Sequence, residues 1–75
     1  MEVTKVWFEN DRIFIRTKKG REQSMPLAWF PRLYEATVKE RENFTLSSFG
    51  IHWESLDEDL SFEGFFKFKK ERIRV

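Results

Sequence analysis

The chain has 75 residues, no cysteine, a single histidine and a net charge of +1 from 14 basic and 13 acidic residues. The absence of cysteine excludes disulfides and thiolate metal sites, and one histidine alone argues against an all-protein zinc site. A chain of this length forms one domain, so we predict a single domain over residues 1–75, stabilised by its nine Phe, three Trp and one Tyr.

The sequence also bears on location and partners. No apolar run approaches the roughly 20 residues that a membrane-spanning helix needs, and residues 1–5 carry no signal-peptide pattern. We therefore predict a cytoplasmic protein that does not enter a membrane, in line with the lack of cysteine. The charges balance overall, but residues 54–63 hold five acidic and no basic residues, whereas residues 67–75 hold five basic residues and one acidic residue.

The opening third of the chain predicts an antiparallel meander. Three strands are expected, at residues 3–8, 12–17 and 22–25. In the second strand Ile13 and Ile15 share one face, which indicates a half-buried strand. Asn10 and Asp11 suit a tight hairpin turn because both tolerate positive φ, and Gly20 supplies the second turn.

The middle of the chain predicts two short helices. They are expected at residues 27–35 and 38–42. Pro31 must lie in the first turn of a helix, where a missing N–H costs little. Thr37 and Glu40 form the pattern of a capping box at the start of the second helix, and Asn43 is expected to end it.

The rest of the chain predicts one more strand and a last helix. Residues 44–49 alternate apolar and polar side chains, so we expect a fourth strand that joins the sheet and ends at Gly50. Residues 51–53 are expected to be short and extended. Ser61 has the position of a helix N-cap, and we expect a large neighbour to pack against Gly64 inside that helix.

Together these elements predict an α+β fold. A small antiparallel sheet, made of a three-stranded meander plus a fourth strand, would carry short helices packed on one face. Residues 67–75 match no clean amphipathic pattern. We predict a basic tail there that is either flexible or an added strand.

The segment from Gly50 to Gly64 holds the single histidine and the densest acidic run. The predicted hot spot, functional or structural, consists of His52, Trp53, Asp57 and Asp59. His52 could serve as a general base oriented by a carboxylate, but no nucleophile pattern accompanies it. We favour a structural histidine that bonds a carboxylate or a backbone carbonyl.

The acidic residues of this segment could bind a divalent cation. The spacing of Asp57, Glu58 and Asp59 is not that of an EF-hand loop. We instead expect one aspartate to bond backbone amides in the turn before Ser61, with the others in solvent. No metal and no cofactor is predicted.

The tryptophans could line a ligand pocket or stack on nucleobases. In so small a domain we expect Trp7 and Trp53 in the core instead. Trp29 lies near a helix start bounded by proline, so we expect it to be partly exposed.

Basic residues offer candidate phosphate contacts. They are Lys18, Lys19 and Arg21 in the second turn and Lys69, Lys70 and Arg72 in the tail. Such contacts position a nucleic acid without reading its sequence. The acidic run and the balanced charge favour a solvated surface, with nucleic-acid binding as the alternative.

Several motifs resemble a known bacterial family. They are Pro31-Arg32-Leu33, Ala36-Thr37, Glu40-Arg41-x-Asn43-Phe44 and Gly50-Ile51-His52-Trp53-x-x-Leu56-Asp57-Glu58-Asp59-Leu60-Ser61-x-Glu63-Gly64. The last of these is specific, because many uncommon residues follow in order without gaps. On these residues the chain resembles the domain of unknown function family 2442, up to about Phe66. Val38 is a departure, since relatives often carry Pro there.

The resemblance implies a small α+β domain with an antiparallel sheet, which in similar proteins stands alone or precedes a helix-turn-helix domain. Stand-alone relatives often look like one half of a two-gene module beside another small protein, an arrangement that suggests toxin–antitoxin pairs. The family has no established catalytic residues, so the resemblance assigns none to this chain.

Three functions are open on these grounds. We favour a non-catalytic domain that binds a partner protein, such as the product of an adjacent gene, through a sheet edge and exposed aromatic residues. The alternatives are a nucleic-acid-binding or regulatory module and a small enzyme that uses His52. A homodimer is a further expectation, with the acidic segment of one copy meeting the basic tail of another.

Overall fold

The computed structural model describes the backbone of residues 2–71 and the side chains of residues 2–66. Within that range the chain forms two three-stranded antiparallel sheets, a 3-10 turn and three α-helices. In chain order the elements are β1 (Val3–Glu9), β2 (Arg12–Thr17), β3 (Glu22–Pro26), the 3-10 turn (Leu27–Trp29), α1 (Pro31–Tyr34), α2 (Val38–Glu42), β4 (Thr45–Leu46), β5 (Gly50–Trp53), β6 (Glu58–Ser61) and α3 (Phe62–Glu71). The predicted α+β class is confirmed.

The opening meander has the strand order β1-β2-β3, as predicted. Asn10 and Asp11 both have positive φ, 50° and 61°, which gives a two-residue turn whose twist matches the flanking strands. Gly20, with φ of 90°, makes the second turn. Ile13 and Ile15 are fully buried, so one face of β2 belongs to the core.

Pro31 divides the first predicted helix. The 3-10 turn ends before Phe30, and α1 begins at Pro31, where a residue without an N–H fits the first helical position. The predicted capping box of α2 is confirmed. Thr37 Oγ1 accepts the N–H of Glu40 at 3.1 Å, and Glu40 Oε1 accepts the N–H of Thr37 at 2.9 Å. Asn43 ends the helix, as expected.

The predicted fourth strand lies in a second sheet rather than in the meander. Only β4 of this segment is a strand, and it pairs with β5 in the order β4-β5-β6. The alternating pattern breaks at Ser47, because its Oγ accepts the N–H groups of Phe49 and Gly50 at 3.1 Å and closes a turn. Strand β6 was not predicted. It forms because the turn after β5 ends at Asp57, whose φ of 53° completes the reversal of the chain directly before β6.

Glycine is required at Gly50 rather than at Gly64. A Cβ on Gly50 would overlap the carbonyl oxygen of Leu60 on the neighbouring strand. The prediction that a large neighbour packs against Gly64 is wrong, since no described neighbouring atom would lie within 4 Å of a Cβ there. Ser61 caps α3 as predicted, and its Oγ accepts the N–H of Gly64 at 3.3 Å.

The core lies between the meander, the second sheet and the helices. Its buried residues are Ile13, Ile15, Met25, Leu27, Leu33, Ile51, Trp53, Leu60, Phe62 and Phe65. Trp53 is 0% exposed and Trp29 is 44% exposed, as predicted. The prediction for Trp7 is wrong. Val6 and Phe8 pack against the core, so Trp7 faces the opposite side of β1 and stacks on Phe14, with ring centroids 5.2 Å apart.

The C-terminal segment is described only in part. The backbone of residues 67–71 continues α3. The predictions for the backbone of residues 72–75 and for the side chains of residues 67–75 lie outside the described residues. Among the described helices, none combines the length and apolarity that crossing a membrane requires.

The two glycines give a matched test of the fold. We expect Gly50→Ala to lower the free energy of unfolding by about 2–3 kcal/mol, because the new Cβ forces β5 and β6 apart. We expect Gly64→Ala to raise it by up to about 1 kcal/mol, because alanine favours the helix and meets open space. Urea denaturation of both variants measures the difference. Equal effects of the two substitutions would contradict the proposed packing.

Candidate functional site

The residues of the predicted hot spot lie on two different faces of the β5–β6 hairpin. The inner face carries the buried side chains Ile51, Trp53 and Leu60. Strand pairing places His52 directly opposite Asp59, and both side chains are on the outer, exposed face. The alternation of a strand therefore brings these two predicted residues together and turns Trp53 away from them.

His52 and Asp59 form a close pair. The distance from His52 Nδ1 to Asp59 Oδ1 is 2.6 Å, and the side chains are 46% and 76% exposed. A carboxylate only accepts, so Nδ1 carries the proton that makes the bond. This contact confirms the expected bond between His52 and a carboxylate. It leaves Nε2 without a hydrogen bond to any described residue.

Asp57 does not reach this pair. It occupies the turn between β5 and β6, where Arg32 of α1 donates to its carbonyl oxygen at 2.6 Å. The same guanidinium lies 3.5 Å from the Asp57 carboxylate. The expected bonds from an aspartate side chain to the backbone amides of this turn are wrong: Asp57 faces Arg32, and Asp59 faces His52. Asp57 thus fixes the hairpin to α1.

Trp53 supports the site from inside the core. Its Nε1 donates to the carbonyl oxygen of Arg41 at 2.7 Å, and its ring meets Phe44 edge-on at 6.0 Å. The buried position of Trp53 keeps it from touching a ligand on the outer face. Its role in the predicted hot spot is to hold the hairpin in place.

Phe49 is a site residue that the sequence reasoning missed. Its side chain is 81% exposed, although its backbone is held on both sides. Ser47 closes the turn by donating its N–H to the carbonyl of Gly50 at 2.9 Å, and the N–H of Phe62 donates to the carbonyl of Phe49 at 2.9 Å. The signal in the sequence was the Ser-Ser-Phe-Gly turn, but these residues were assigned to the predicted fourth strand and its end.

A shallow concavity of about 600 Å³ runs along this hairpin. We define the hairpin surface as Phe49, His52, Asp59, Ser61 and Glu63, all of which line the concavity. No Lys or Arg is among the described residues that line it. The surface therefore combines an exposed aromatic ring with two carboxylates.

A polar row crosses the second sheet at this point. The strand register places Thr45 opposite His52, and His52 opposite Asp59. A hydroxyl, an imidazole and a carboxylate thus occupy neighbouring positions on one face. Sequence reasoning missed the row because it depends on β6, which was not predicted. A base with an orienting carboxylate is the chemical capability of this arrangement.

The predicted phosphate contacts form no such constellation within the described residues. Lys18 Nζ lies 3.9 Å from Glu2, and the Arg21 guanidinium lies over the Phe66 ring at 4.8 Å from its centroid. Lys19 is exposed. The side chains of the other three candidates, Lys69, Lys70 and Arg72, lie outside the described residues. No group of three or more His, Cys, Asp or Glu that could hold a metal ion occurs in the described range.

Comparison with known protein families identifies the family. The family described as Protein of unknown function (DUF2442) matches residues 3–71. The chain belongs to this family. Neither a curated protein nor a solved structure matches the chain. The resemblance seen in the motifs is thus confirmed, and the fold that this DUF2442 domain was expected to have agrees with the α+β architecture.

The exposed pair gives the second test. We expect Asp59→Ala to lower the free energy of unfolding by less than about 1 kcal/mol, because both partners are in contact with solvent. It should also remove the preference for a proton on Nδ1, which NMR of the His52 ring nitrogens measures directly. Unchanged ring-nitrogen shifts in the variant would show that Asp59 does not orient the imidazole.

Proposed function

We propose that this chain is a non-catalytic protein-interaction domain and that it binds its partner through the hairpin surface. The observation that carries the proposal is the exposure of Phe49 on a turn whose backbone is hydrogen-bonded at Ser47, Phe49 and Gly50. Aromatic anchors of this kind dominate binding energy when a partner covers them. Because the turn is already ordered, binding would cost little additional conformational entropy.

The charges beside Phe49 specify the chemistry of the partner. Asp59 and Glu63 line the same concavity, and no described Lys or Arg does. A complementary surface would offer an apolar pocket for the ring and basic side chains around it. Such complementarity contributes to specificity and to the rate of association more than to affinity.

The family resemblance supports an adjacent gene product as the partner. In a two-gene module of the toxin–antitoxin kind, the chain would act as the antitoxin-like half by covering the functional surface of its partner. That mode of action needs no catalytic group. We place the complex in the cytoplasm on the basis of the cysteine-free composition.

Co-expression with the products of the flanking genes, followed by pull-down and titration calorimetry, tests the proposal. We expect Phe49→Ala to weaken the complex at least about 30-fold, as loss of a hot-spot anchor does. Trp29→Ala is the control, because Trp29 is also an exposed aromatic residue, at 44% against 81% for Phe49, and lies outside the hairpin surface. The affinity of the Trp29→Ala variant for the partner should stay within about threefold of that of the wild type.

Two results would contradict this proposal. One is the absence of any stable complex with either flanking product. The other is a complex that Phe49→Ala and Trp29→Ala weaken equally, since binding would then not depend on the hairpin surface.

A small enzyme is a second candidate, supported by one observation. His52 lines the concavity and is held by Asp59 through Nδ1, and its Nε2 bonds no described residue and could accept a proton from a bound substrate. Any activity found should be abolished by His52→Gln, with circular dichroism confirming that the variant is folded. The nucleic-acid alternative remains a prediction, and a mobility shift at low salt that disappears as salt rises is its test.

A further inference from the structure

Strand β1 forms an open edge of the meander. It is the first strand in the order β1-β2-β3, and among the described residues its outer side has no backbone hydrogen-bond partner. Its pairing with β2 is irregular between Val3 and Lys5 and regular from Lys5 to Glu9. A regular strand with an unpaired side is a template for another strand.

The hairpin turn decides which backbone groups face outward. Glu9 and Arg12 flank the two-residue turn and pair with each other. In an antiparallel hairpin this flanking pair exchanges hydrogen bonds, and the bonded pairs then alternate along the strands. The N–H and C=O groups of Trp7 therefore point toward β2. Those of Val6 and Phe8 point to the open edge.

In one symmetric register, the outward backbone groups of both Val6 and Phe8 find hydrogen-bond partners. If two copies of β1 run antiparallel with Trp7 at the centre, each Val6 faces the second copy's Phe8. Their outward N–H and C=O groups then exchange hydrogen bonds. In the same register each Lys5 faces the second copy's Glu9. A register centred on Val6 or on Phe8 would leave Lys5 and Glu9 unmatched.

The side chains are complementary on both faces. On the outer face, two Lys–Glu pairs would flank two Trp rings, each already stacked on its own Phe14. On the inner face Val6 and Phe8 pack against the core but are only partly buried. A second copy would cover the part of these side chains that remains in contact with solvent.

We propose that the chain forms a symmetric dimer in which the two β1 strands pair about Trp7 and join the two meanders into one six-stranded sheet. This surface is separate from the hairpin surface, so the proposal is independent of the proposed partner. Dimerisation would also add buried apolar area to a domain whose short chain buries only a limited share of its surface on folding.

Charge reversal with sedimentation equilibrium tests the proposal. We expect the wild type to be a dimer and Lys5→Glu to weaken dimerisation at least tenfold, because it places two acidic residues opposite each other. Glu9→Lys should do the same. The double variant Lys5→Glu/Glu9→Lys restores opposite charges across the interface and should return the dimer to within about threefold of the wild type.

A second pair of variants removes the dependence on charge. Val6→Pro deletes an N–H that faces the open edge, which an edge strand tolerates, and should give a folded monomer. Val6→Ala keeps that N–H and should remain dimeric. Circular dichroism confirms that each variant is folded. Phe49→Ala, which tests the hairpin surface, should leave the dimer intact.

The outcomes separate cleanly. A wild type that is monomeric at every concentration measured overturns the proposal. A dimer that Lys5→Glu and Val6→Pro leave unchanged also overturns it, because the chains would then associate through another surface. Restoration of the dimer in the double charge variant would support this register specifically.

Discussion

The buried indole of Trp53 links the second sheet to the helices that precede it in the chain. Its ring belongs to the inner face of β5, and its Nε1 donates to the carbonyl of Arg41 in α2. The Arg41 guanidinium in turn donates to the carbonyls of Leu33 and Tyr34 at the end of α1. Trp53 therefore connects the second sheet to α2, and Arg41 extends the connection to α1. Such a hydrogen-bond network stabilises the fold only while every member keeps its partner.

This link explains how a small domain can present a preformed surface. With Trp53 fixed behind it, the β5–β6 hairpin needs no ligand to order its outer face. Asp57 and Arg32 hold the far end of the hairpin, and the bond from Phe62 to Phe49 holds the near end. The exposed Phe49 and the His52–Asp59 pair then share a rigid support. The hairpin thus combines an exposed aromatic ring with an imidazole whose Nε2 bonds no described residue.

Local rules accounted for much of the fold. The Asn10-Asp11 turn, the Thr37–Glu40 capping box and the Ser61 cap each depend on a few consecutive residues, and each was predictable. The second sheet was not, because β6 exists only through its register with β5 and through the left-handed turn at Asp57. The outward position of Trp7 was hidden because apolar character alone does not say which face of a strand meets the core, and the exposure of Phe49 was hidden because its segment forms a turn instead of the predicted strand.

The most direct measurement compares the unfolding of Trp53→Phe and Trp29→Phe by chemical denaturation. We expect Trp53→Phe to lower the free energy of unfolding by about 2–4 kcal/mol, because it leaves a cavity and deprives the Arg41 carbonyl of its donor. We expect Trp29→Phe to cost less than about 1 kcal/mol, since Trp29 is half exposed. A Trp53→Phe variant as stable as Trp29→Phe would contradict the claim that this indole connects the second sheet to α1 and α2.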